Sequence, residues 1–199
     1  MAYELRSARY LAADALQQVI RPGDTVVDAT LGNGHDTCML AELVGDKGRV
    51  IGFDIQPDAV MRTAAALEEK GLLNRCTLYA EGHQHMAERV NTPVRAVAFN
   101  LGWLPGGDKH ITTLWETTRQ ALSAALSLLE KDGVCTVCAY PGHAEGDRER
   151  HALADWLSTL RPQEFNVLHS RFLNAGPGAP ECFIIQKQGG AYDHSASKD

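Results

Sequence analysis

The sequence predicts an α/β fold in which a mostly parallel, Rossmann-like sheet of seven strands carries helices on both faces. Apolar runs of strand length alternate with amphipathic stretches of helix length along the chain, a pattern typical of parallel strands joined by crossover helices. The last two apolar runs have only the loop "LNAGPGAP" between them, so we expect them to pair with the last strand antiparallel. The first apolar run leads into a glycine turn, "DATLGNGHDT", where such sheets bind ligands.

Local signals place each element along the chain. The turn "RPGD" ends the first helix, Pro57 suits the first turn of the third helix, and "KDG" is expected to turn the chain into the fifth strand. The predicted helices are 4–20, 35–44, 57–70, 83–90, 110–130 and 144–160. The predicted strands are 24–29, 49–55, 75–80, 94–99, 133–140, 164–171 and 181–187.

The length and composition indicate one globular domain. The chain has 199 residues, of which 44% are hydrophobic and 22% charged, enough to bury a core; we place the domain at 1–188 and expect the polar segment 189–199 to be a disordered tail. No apolar run approaches the ~20 residues that span a bilayer, and the N-terminus lacks the apolar core of a signal peptide. We therefore expect a cytoplasmic protein without membrane contacts. The net charge of −6 argues against broad, non-specific nucleic-acid binding but not against a local basic face.

The five cysteines do not indicate a metal site. Cys135 and Cys138 form a CxxC pair, but the surrounding "GVCTVCAY" is typical of a buried strand. Residues three apart on a strand face opposite sides of the sheet, and the chain has no second pair to complete a zinc site. We expect both cysteines to be core residues and no metal to be bound.

The glycine turn and the acid after the second strand indicate a nucleotide-bearing cofactor. Asp28 ends the first strand, Gly32 and Gly34 allow a tight turn close to a ligand, and Asp54 ends the second strand, where it can accept hydrogen bonds from ribose hydroxyls. A nicotinamide dinucleotide would use a similar layout, but Thr37 occupies the place of its third glycine and Asp28 would repel a pyrophosphate. S-adenosylmethionine (SAM), which has no phosphate and carries an ammonium and a sulfonium, fits better. A glycine turn flanked by solvated acids is the plainer alternative.

The loop after the fourth strand, "NLGWLPGGDKH", indicates methyl transfer to an amino group. Asn100 follows strand 94–99, so we expect it at the edge of the sheet where ligands bind. Leu101, Gly102 and Trp103 come next. Amino-group methyltransferases that act on nucleic acids carry an Asp/Asn-Pro-Pro-aromatic loop here, in which the side-chain oxygen and a backbone carbonyl orient the target nitrogen and the ring stacks on the base. "NLGW" is similar to that loop, although Trp103 could also be a core residue beside an ordinary turn. The expected step is an in-line attack of a neutral amine on the sulfonium methyl, helped mainly by positioning.

A third cluster, "AYPGHAEGDRER", leaves the fifth strand on the ligand side. It carries Tyr140, His143 and Glu145, and a histidine is well suited to proton transfer near neutrality. An alkylamine must lose a proton before it attacks. Tyr140, His143 and Asp108 are the candidate proton acceptors, and the sequence does not choose among them.

Together these stretches resemble the MnmM (YtqB-type) family, long labelled rRNA methylases. The resemblance rests on "DATLGNGHDT", "FDIQPDAV", "EGHQHM", "NLGWLPGGDK" and "YPGHAEG", and covers about Ser7 to Lys187. It implies a class I SAM methyltransferase fold and a SAM-dependent tRNA methyltransferase that converts 5-aminomethyl-(2-thio)uridine at the wobble position to 5-methylaminomethyl-(2-thio)uridine. The tRNA anticodon stem-loop would then be the partner. "FLNAGPGAP" is a divergent form of the family's Asn- and Pro-containing loop, which leaves substrate contacts there open.

The motifs and the resemblance together predict the site residues. Those expected around SAM are Asp28, Gly32, Asn33, Gly34, Asp36, Thr37, Asp54, Gln56, Gly82, His83 and Asn100. Those expected at the substrate are Leu101, Gly102, Trp103, Pro105, Gly106, Gly107, Lys109, Glu145 and Asn174, with Asp108 and Lys109 holding the anticodon loop. The predicted catalytic residues are Asn100, Asp108, Tyr140 and His143.

Two other functions fit parts of the sequence. The glycine turn is also similar to that of the rRNA cytosine-N4 methyltransferases, which are larger and carry an inserted helical domain. A SAM-binding or nicotinamide-binding module without catalysis is the alternative from a different class; SAM binding without methyl transfer to any RNA would favour it. The sequence does not decide between a monomer and a homodimer.

Overall fold

The computed structural model describes residues 7–104, 106–107 and 111–189. A seven-stranded sheet runs through this part of the chain in the order β3-β2-β1-β4-β5-β7-β6. The strands are β1 Thr25–Asp28, β2 Arg49–Phe53, β3 Cys76–Tyr79, β4 Val94–Asn100, β5 Leu129–Ala139, β6 Phe165–Ser170 and β7 Glu181–Lys187. The helices are α1 Ala8–Val19, α2 His35–Val44, α3 Pro57–Glu69, α4 Met86–Arg89, α5 Trp115–Leu128 and α6 Ala144–Ser158, with 3₁₀ turns at Leu73–Arg75 and His83–His85.

The sheet topology confirms the predicted α/β class. Strands β1 to β5 pair with one another in parallel, whereas β7 is antiparallel to both β5 and β6. The strand order reverses between β1 and β4, because the chain first builds the sheet outward through β2 and β3 and then returns to the other side of β1. A crevice forms at the carboxyl ends of strands at such a reversal, and this crevice contains the cavity described below.

The segment between α5 and β5 differs from the prediction. No turn separates them: α5 ends at Leu128 and β5 begins at Leu129, so "KDG" lies within the strand. The pairing with β4 shifts there, from Val94 opposite Leu129 to Ala96 opposite Val134, and Asp132 adopts a positive φ of 61°. The extra residues of β5 form a bulge, which takes the place of the turn predicted at "KDG".

Side chains of β1 and β5 alternate between the two faces of the sheet. Val27, on β1, packs with Phe99 and Leu122 beneath α4, α5 and α6, whereas the adjacent Val26 packs with Leu40 beneath α1, α2 and α3. The same alternation separates the two cysteines of the CxxC pair, as predicted: Cys135 belongs to the first core, and Cys138 lies with Cys182 beneath α1.

Several predicted features fall partly or wholly outside the described residues. These are the start of the first helix at 4–6, positions 105 and 108–110 of the loop after β4, and all of the predicted tail except Gly189. Of the helices that are described, none is both long and apolar enough to cross a membrane. Within the same ranges, His, Cys, Asp and Glu do not come together in a group of three suited to a metal ion.

Candidate active site

A cavity lies at the carboxyl ends of the parallel strands, at the strand-order reversal. Its volume is about 550 Å³, within the range of small-ligand sites. Its walls come from the turn after β1, the residues that follow β2 and β3, the loop after β4 and the residues that follow β5. The topology therefore brings together the stretches that were singled out in the sequence.

Most of the predicted site residues line this cavity. They are Gly32, Asn33, Asp36, Asp54, Gln56, Gly82, His83, Asn100, Leu101, Gly102, Trp103, Tyr140 and His143. The predicted residues that are described but do not line it are Asp28, Gly34, Thr37, Gly106, Gly107, Glu145 and Asn174. Pro105, Asp108 and Lys109 lie outside the described residues.

Asp28 and Thr37 lie behind the glycine turn rather than on the cavity wall. Asp28 is fully buried; its Oδ2 accepts a hydrogen bond from Thr37 Oγ1 at 2.6 Å and its Oδ1 accepts one from the Thr30 amide at 3.1 Å. Burial, reinforced by the nearby charge of Asp36, raises the pKa of Asp28 to about 7. These contacts connect β1 to the start of α2, so we assign both residues to holding the turn.

Gly34 has a packing role that explains the second glycine of the turn. It caps α2 with a left-handed φ of 79°, which disfavours other residues. A Cβ at this position would lie 3.0 Å from both Cα and Oγ1 of Thr63 in α3. The glycine lets α2 begin directly against α3.

Asp54 connects the turn after β1 to the segment after β2. Its Oδ2 accepts from the Gly32 amide at 3.0 Å and its Oδ1 accepts from the Gln56 amide at 2.9 Å. Each carboxylate oxygen can accept a second hydrogen bond, so the side chain retains acceptor capacity towards the cavity. Ile55, which follows it and is 55% exposed, adds an apolar surface to the same wall.

His83 lines the cavity as a neutral imidazole. Burial lowers the pKa of His83 to about 4, and its ring packs edge-on against Phe99. Its Nδ1 lies 3.2 Å from the Ala29 carbonyl oxygen. Because a carbonyl oxygen only accepts, Nδ1 carries the hydrogen and donates a hydrogen bond to it. Nε2 is then the acceptor nitrogen of the ring.

Asn100 presents a preoriented acceptor. Its Nδ2 donates to Asp36 Oδ2, and its backbone amide donates to Thr30 Oγ1 at 2.7 Å. Asp36 is itself held by Arg9, whose Nε lies 3.5 Å from Asp36 Oδ1. Asn100 Oδ1 is buried and has no hydrogen-bond partner within the described ranges. Because buried polar atoms are normally paired, this oxygen is a strong candidate for contact with a ligand.

The geometry of His143 argues against a role as general base. Its Nδ1 accepts from the Gly146 amide at 3.1 Å and caps α6, so in the neutral ring Nε2 carries the hydrogen. Protonation of Nδ1 would break this cap. The ring lies 4.2 Å from that of Trp103, between centroids, with 37° between the planes. The structure thus gives His143 a capping role and a tilted ring contact with Trp103.

Tyr140 is also poorly suited to accept a proton. Burial is the main cause that raises the pKa of its phenol to about 12, so the hydroxyl is protonated near neutrality. Of the three proton acceptors considered from the sequence, two are thus disfavoured, and Asp108 lies outside the described residues.

Glu145 and Asn174, which were also predicted at the substrate, do not line the cavity. Glu145 is in the first turn of α6, where its carboxylate is 3.6 Å from Arg148. Asn174 is exposed in the loop between β6 and β7, and from that loop it is Gly178 that reaches the cavity.

Sequence reasoning missed several lining residues, chiefly Arg9, Ile55, Thr113 and Leu114. Ile55 could have been found, because an apolar residue that follows the acid at a strand end does not fit the strand pattern. The other three carry no such signal. Arg9 reaches the cavity only because α1 packs on β5 and β7, and Thr113 only because the loop after β4 folds back on itself.

The chain is similar to known proteins along most of its length. Residues 50–186 match the protein family described as "Putative rRNA methylase". A "tRNA (mnm(5)s(2)U34)-methyltransferase, chloroplastic" of Arabidopsis thaliana is 38% identical over 92% of this chain and 70% of its own length.

Solved structures resemble the chain along nearly all of its length. A "putative rRNA-methylase" of Clostridium thermocellum is 42% identical with a TM-score of 0.91, over 93% of this chain and 100% of that one. A "putative methyltransferase" of Streptococcus mutans, solved in complex with SAH, is 31% identical with a TM-score of 0.84, over 92% and 99%. The resemblance expected from the sequence motifs is confirmed. The chain therefore belongs to the matched rRNA methylase family, and its fold is that of the class I SAM-dependent methyltransferases.

Proposed function

We propose that this protein is a SAM-dependent methyltransferase that methylates the amino group of 5-aminomethyl-(2-thio)uridine at the wobble position of tRNA. The observation that carries the proposal is the buried Asn100 Oδ1, which has no hydrogen-bond partner among the described residues and is held in place through Nδ2 by Asp36 on the wall of the cavity. An acceptor without a donor of its own suits an incoming N–H group. The named activity of the 38%-identical Arabidopsis relative supports an exocyclic amine as that group.

The cavity residues fit the cofactor. Asp54 can accept hydrogen bonds from two ribose hydroxyls, and Ile55 offers an apolar face to the adenine ring. His83 Nε2, an acceptor because Nδ1 donates to Ala29, suits the adenine amino group. Gly32, with a φ of 54°, leaves the turn open on the cavity side, and Gln56 and Gly82 complete this wall. When bound, SAM supplies an electrophilic methyl group on a sulfonium.

The residues of the chain would position the amine and receive its proton. Asn100 Oδ1 accepts an N–H of the substrate and so directs the nitrogen lone pair. The adjacent rings of Trp103 and His143, tilted by 37° to each other, offer an aromatic wall for the pyrimidine. Asp36 lines the cavity beside Asn100, and we propose that its carboxylate accepts the proton that the substrate ammonium must lose.

A reconstituted reaction tests the proposal. Purified protein is incubated with SAM and with tRNA from cells that make the aminomethyl group but lack this enzyme, and the wobble nucleosides are measured by mass spectrometry. We expect methylaminomethyl-uridine to appear, and no methylation of rRNA from the same cells. Methyl transfer to rRNA alone would favour the cytosine-N4-type alternative, and SAM binding without transfer to either RNA would favour a non-catalytic module.

Substitution of Asn100 tests the observation behind the proposal. Asn100→Ala removes one orienting hydrogen bond, for which we expect about tenfold slower methyl transfer. The matched control is Asn91→Ala, an exposed asparagine just before the amino end of β4, at the opposite edge of the sheet, which should keep wild-type activity. Equal activity of the two variants would contradict the role of Asn100.

The bound part of the tRNA and the setting of the reaction complete the proposal. We propose the anticodon stem-loop as the bound element, since it carries the wobble base, and the cytoplasm as the compartment. Light scattering would show whether the protein is a monomer or a homodimer.

A further inference from the structure

A buried carboxyl group away from the cavity wall has no part in the function described so far. Glu149, on α6, is only 2% exposed, and burial raises its pKa despite two hydrogen-bond donors. A buried acid destabilises a fold unless its oxygens are satisfied. The hydrogen-bond partners of Glu149 therefore indicate its role.

Each carboxylate oxygen of Glu149 accepts a hydrogen bond from a hydroxyl group in a different part of the chain. Oε1 accepts from Thr118 Oγ1 at 2.6 Å, within α5. Oε2 accepts from Thr113 Oγ1 at 2.5 Å, at the end of the loop that precedes α5. The acid thus connects α6 to α5 through one oxygen and to the loop through the other.

The direction of the hydrogen bonds makes Thr113 a relay. Its Oγ1 accepts from the Gly102 amide at 2.8 Å, so its own hydrogen is available to Glu149. The Thr113 amide also donates to the Gly102 carbonyl oxygen at 3.2 Å, and Trp103 pairs with Thr112 as an antiparallel bridge. These bonds close the base of the loop that begins immediately after Asn100 and contains Trp103.

We propose that Glu149 is a positioning residue, which through Thr113 holds together the two ends of the loop after β4, at Gly102 and Thr113, and so keeps Asn100 and Trp103 in place for methyl transfer. This inference rests on the proposed function for its effect on catalysis, but not for its effect on the loop. An acceptor-only group is required here because both hydroxyls donate to it. Loss of the Thr113 hydroxyl would leave the Gly102 amide without its acceptor and weaken the contact between the two ends of the loop.

The two threonines provide a matched pair of variants. Thr113→Val removes the relay, whereas Thr118→Val removes the other hydroxyl on Glu149 without touching the loop. For Thr113→Val we expect kcat for methyl transfer to fall about tenfold or more, as for loss of a hydrogen bond to a charged group, with the Kd for SAM changed less than about threefold. Thr118→Val should lower the melting temperature but keep the wild-type kcat. Thr113→Ser, which restores the hydroxyl, should restore the rate.

Amide hydrogen exchange at Gly102, measured by NMR, provides a readout that does not depend on methyl transfer. We expect Gly102 to exchange at least about tenfold faster in Thr113→Val than in Thr118→Val, since only the first variant removes its acceptor. Should Thr113→Val not fold, Thr113→Ala removes the same hydroxyl with less bulk and supports the same comparison.

The outcomes separate this inference from the proposed function. Equal Gly102 exchange and equal kcat in the two valine variants would overturn the positioning role and leave Glu149 as a structural acid. If the wild-type protein does not methylate the tRNA, the proposed function fails, while the exchange comparison still decides whether Glu149 and Thr113 hold the loop.

Discussion

The buried carboxyl of Asp28 allows a quantitative test of the turn after β1. Burial raises its pKa from 3.8 to about 7, so the folded protein holds this proton more tightly than the unfolded chain does. The folded state therefore loses stability as the pH rises from about 4 to about 7. A tenfold difference in proton affinity is worth about 1.4 kcal/mol, which makes the total loss about 4 kcal/mol once the carboxyl is ionised.

Asp28→Asn should remove this dependence on pH. The amide oxygen can still accept from the Thr30 amide, and the amide nitrogen can donate to Thr37 Oγ1 in place of the present bond. Between pH 5 and pH 7, we expect the wild-type protein to lose about 2–3 kcal/mol of unfolding free energy relative to the variant.

Urea unfolding of the ligand-free protein at pH 5, 6, 7 and 8 measures this difference. Asp155→Asn is the matched control, because it removes the same charge from an exposed position on α6, and its difference from wild type should change little with pH. If wild type and Asp28→Asn keep a constant difference within about 0.5 kcal/mol over this range, the reasoning about burial at this position is refuted.

Three further predictions concern other parts of the site. Asp54→Ala should weaken SAM binding at least about tenfold by calorimetry, because the acid accepts from the Gly32 and Gln56 amides as well as from the proposed ribose; unchanged affinity would remove it from the cofactor site. Gly34→Ala should cost about 1–2 kcal/mol in thermal unfolding, given its positive φ and the 3.0 Å approach to Thr63, and wild-type stability would contradict this packing. His143→Ala should destabilise α6 by about 1 kcal/mol through loss of its cap, and its lowered methyl transfer should not recover at higher pH. Recovery in a pH–rate profile would restore His143 as the base.

The sequence was sufficient for the order and type of the elements. Strands and helices are local structures with their own periodicities, and the bounds of α2 and β7 agree with the structure. The antiparallel position of β7 followed from the absence of a helix before it. The bulge in β5 was missed because "KDG" has the same composition whether it turns the chain or bends a strand.

Most of the site could also be predicted from the sequence, because the carboxyl ends of parallel strands meet at one edge of the sheet. Asp54 and Asn100 each follow a strand, and both line the cavity. For such residues, position along the chain is enough to predict position in the crevice.

Only the tertiary structure decided what each side chain does there. Hydrogen-bond direction and burial depend on neighbours distant in the chain: the Gly146 amide gives His143 its capping role, and Arg9 reaches Asp36 from α1. In the sequence Glu149 is one of several charged residues in a row, and its hydrogen-bond partners lie 31 and 36 residues away. The sequence determines which residues can stand at the edge of the sheet, but protonation, pairing and orientation are set by packing between elements, which no local pattern records.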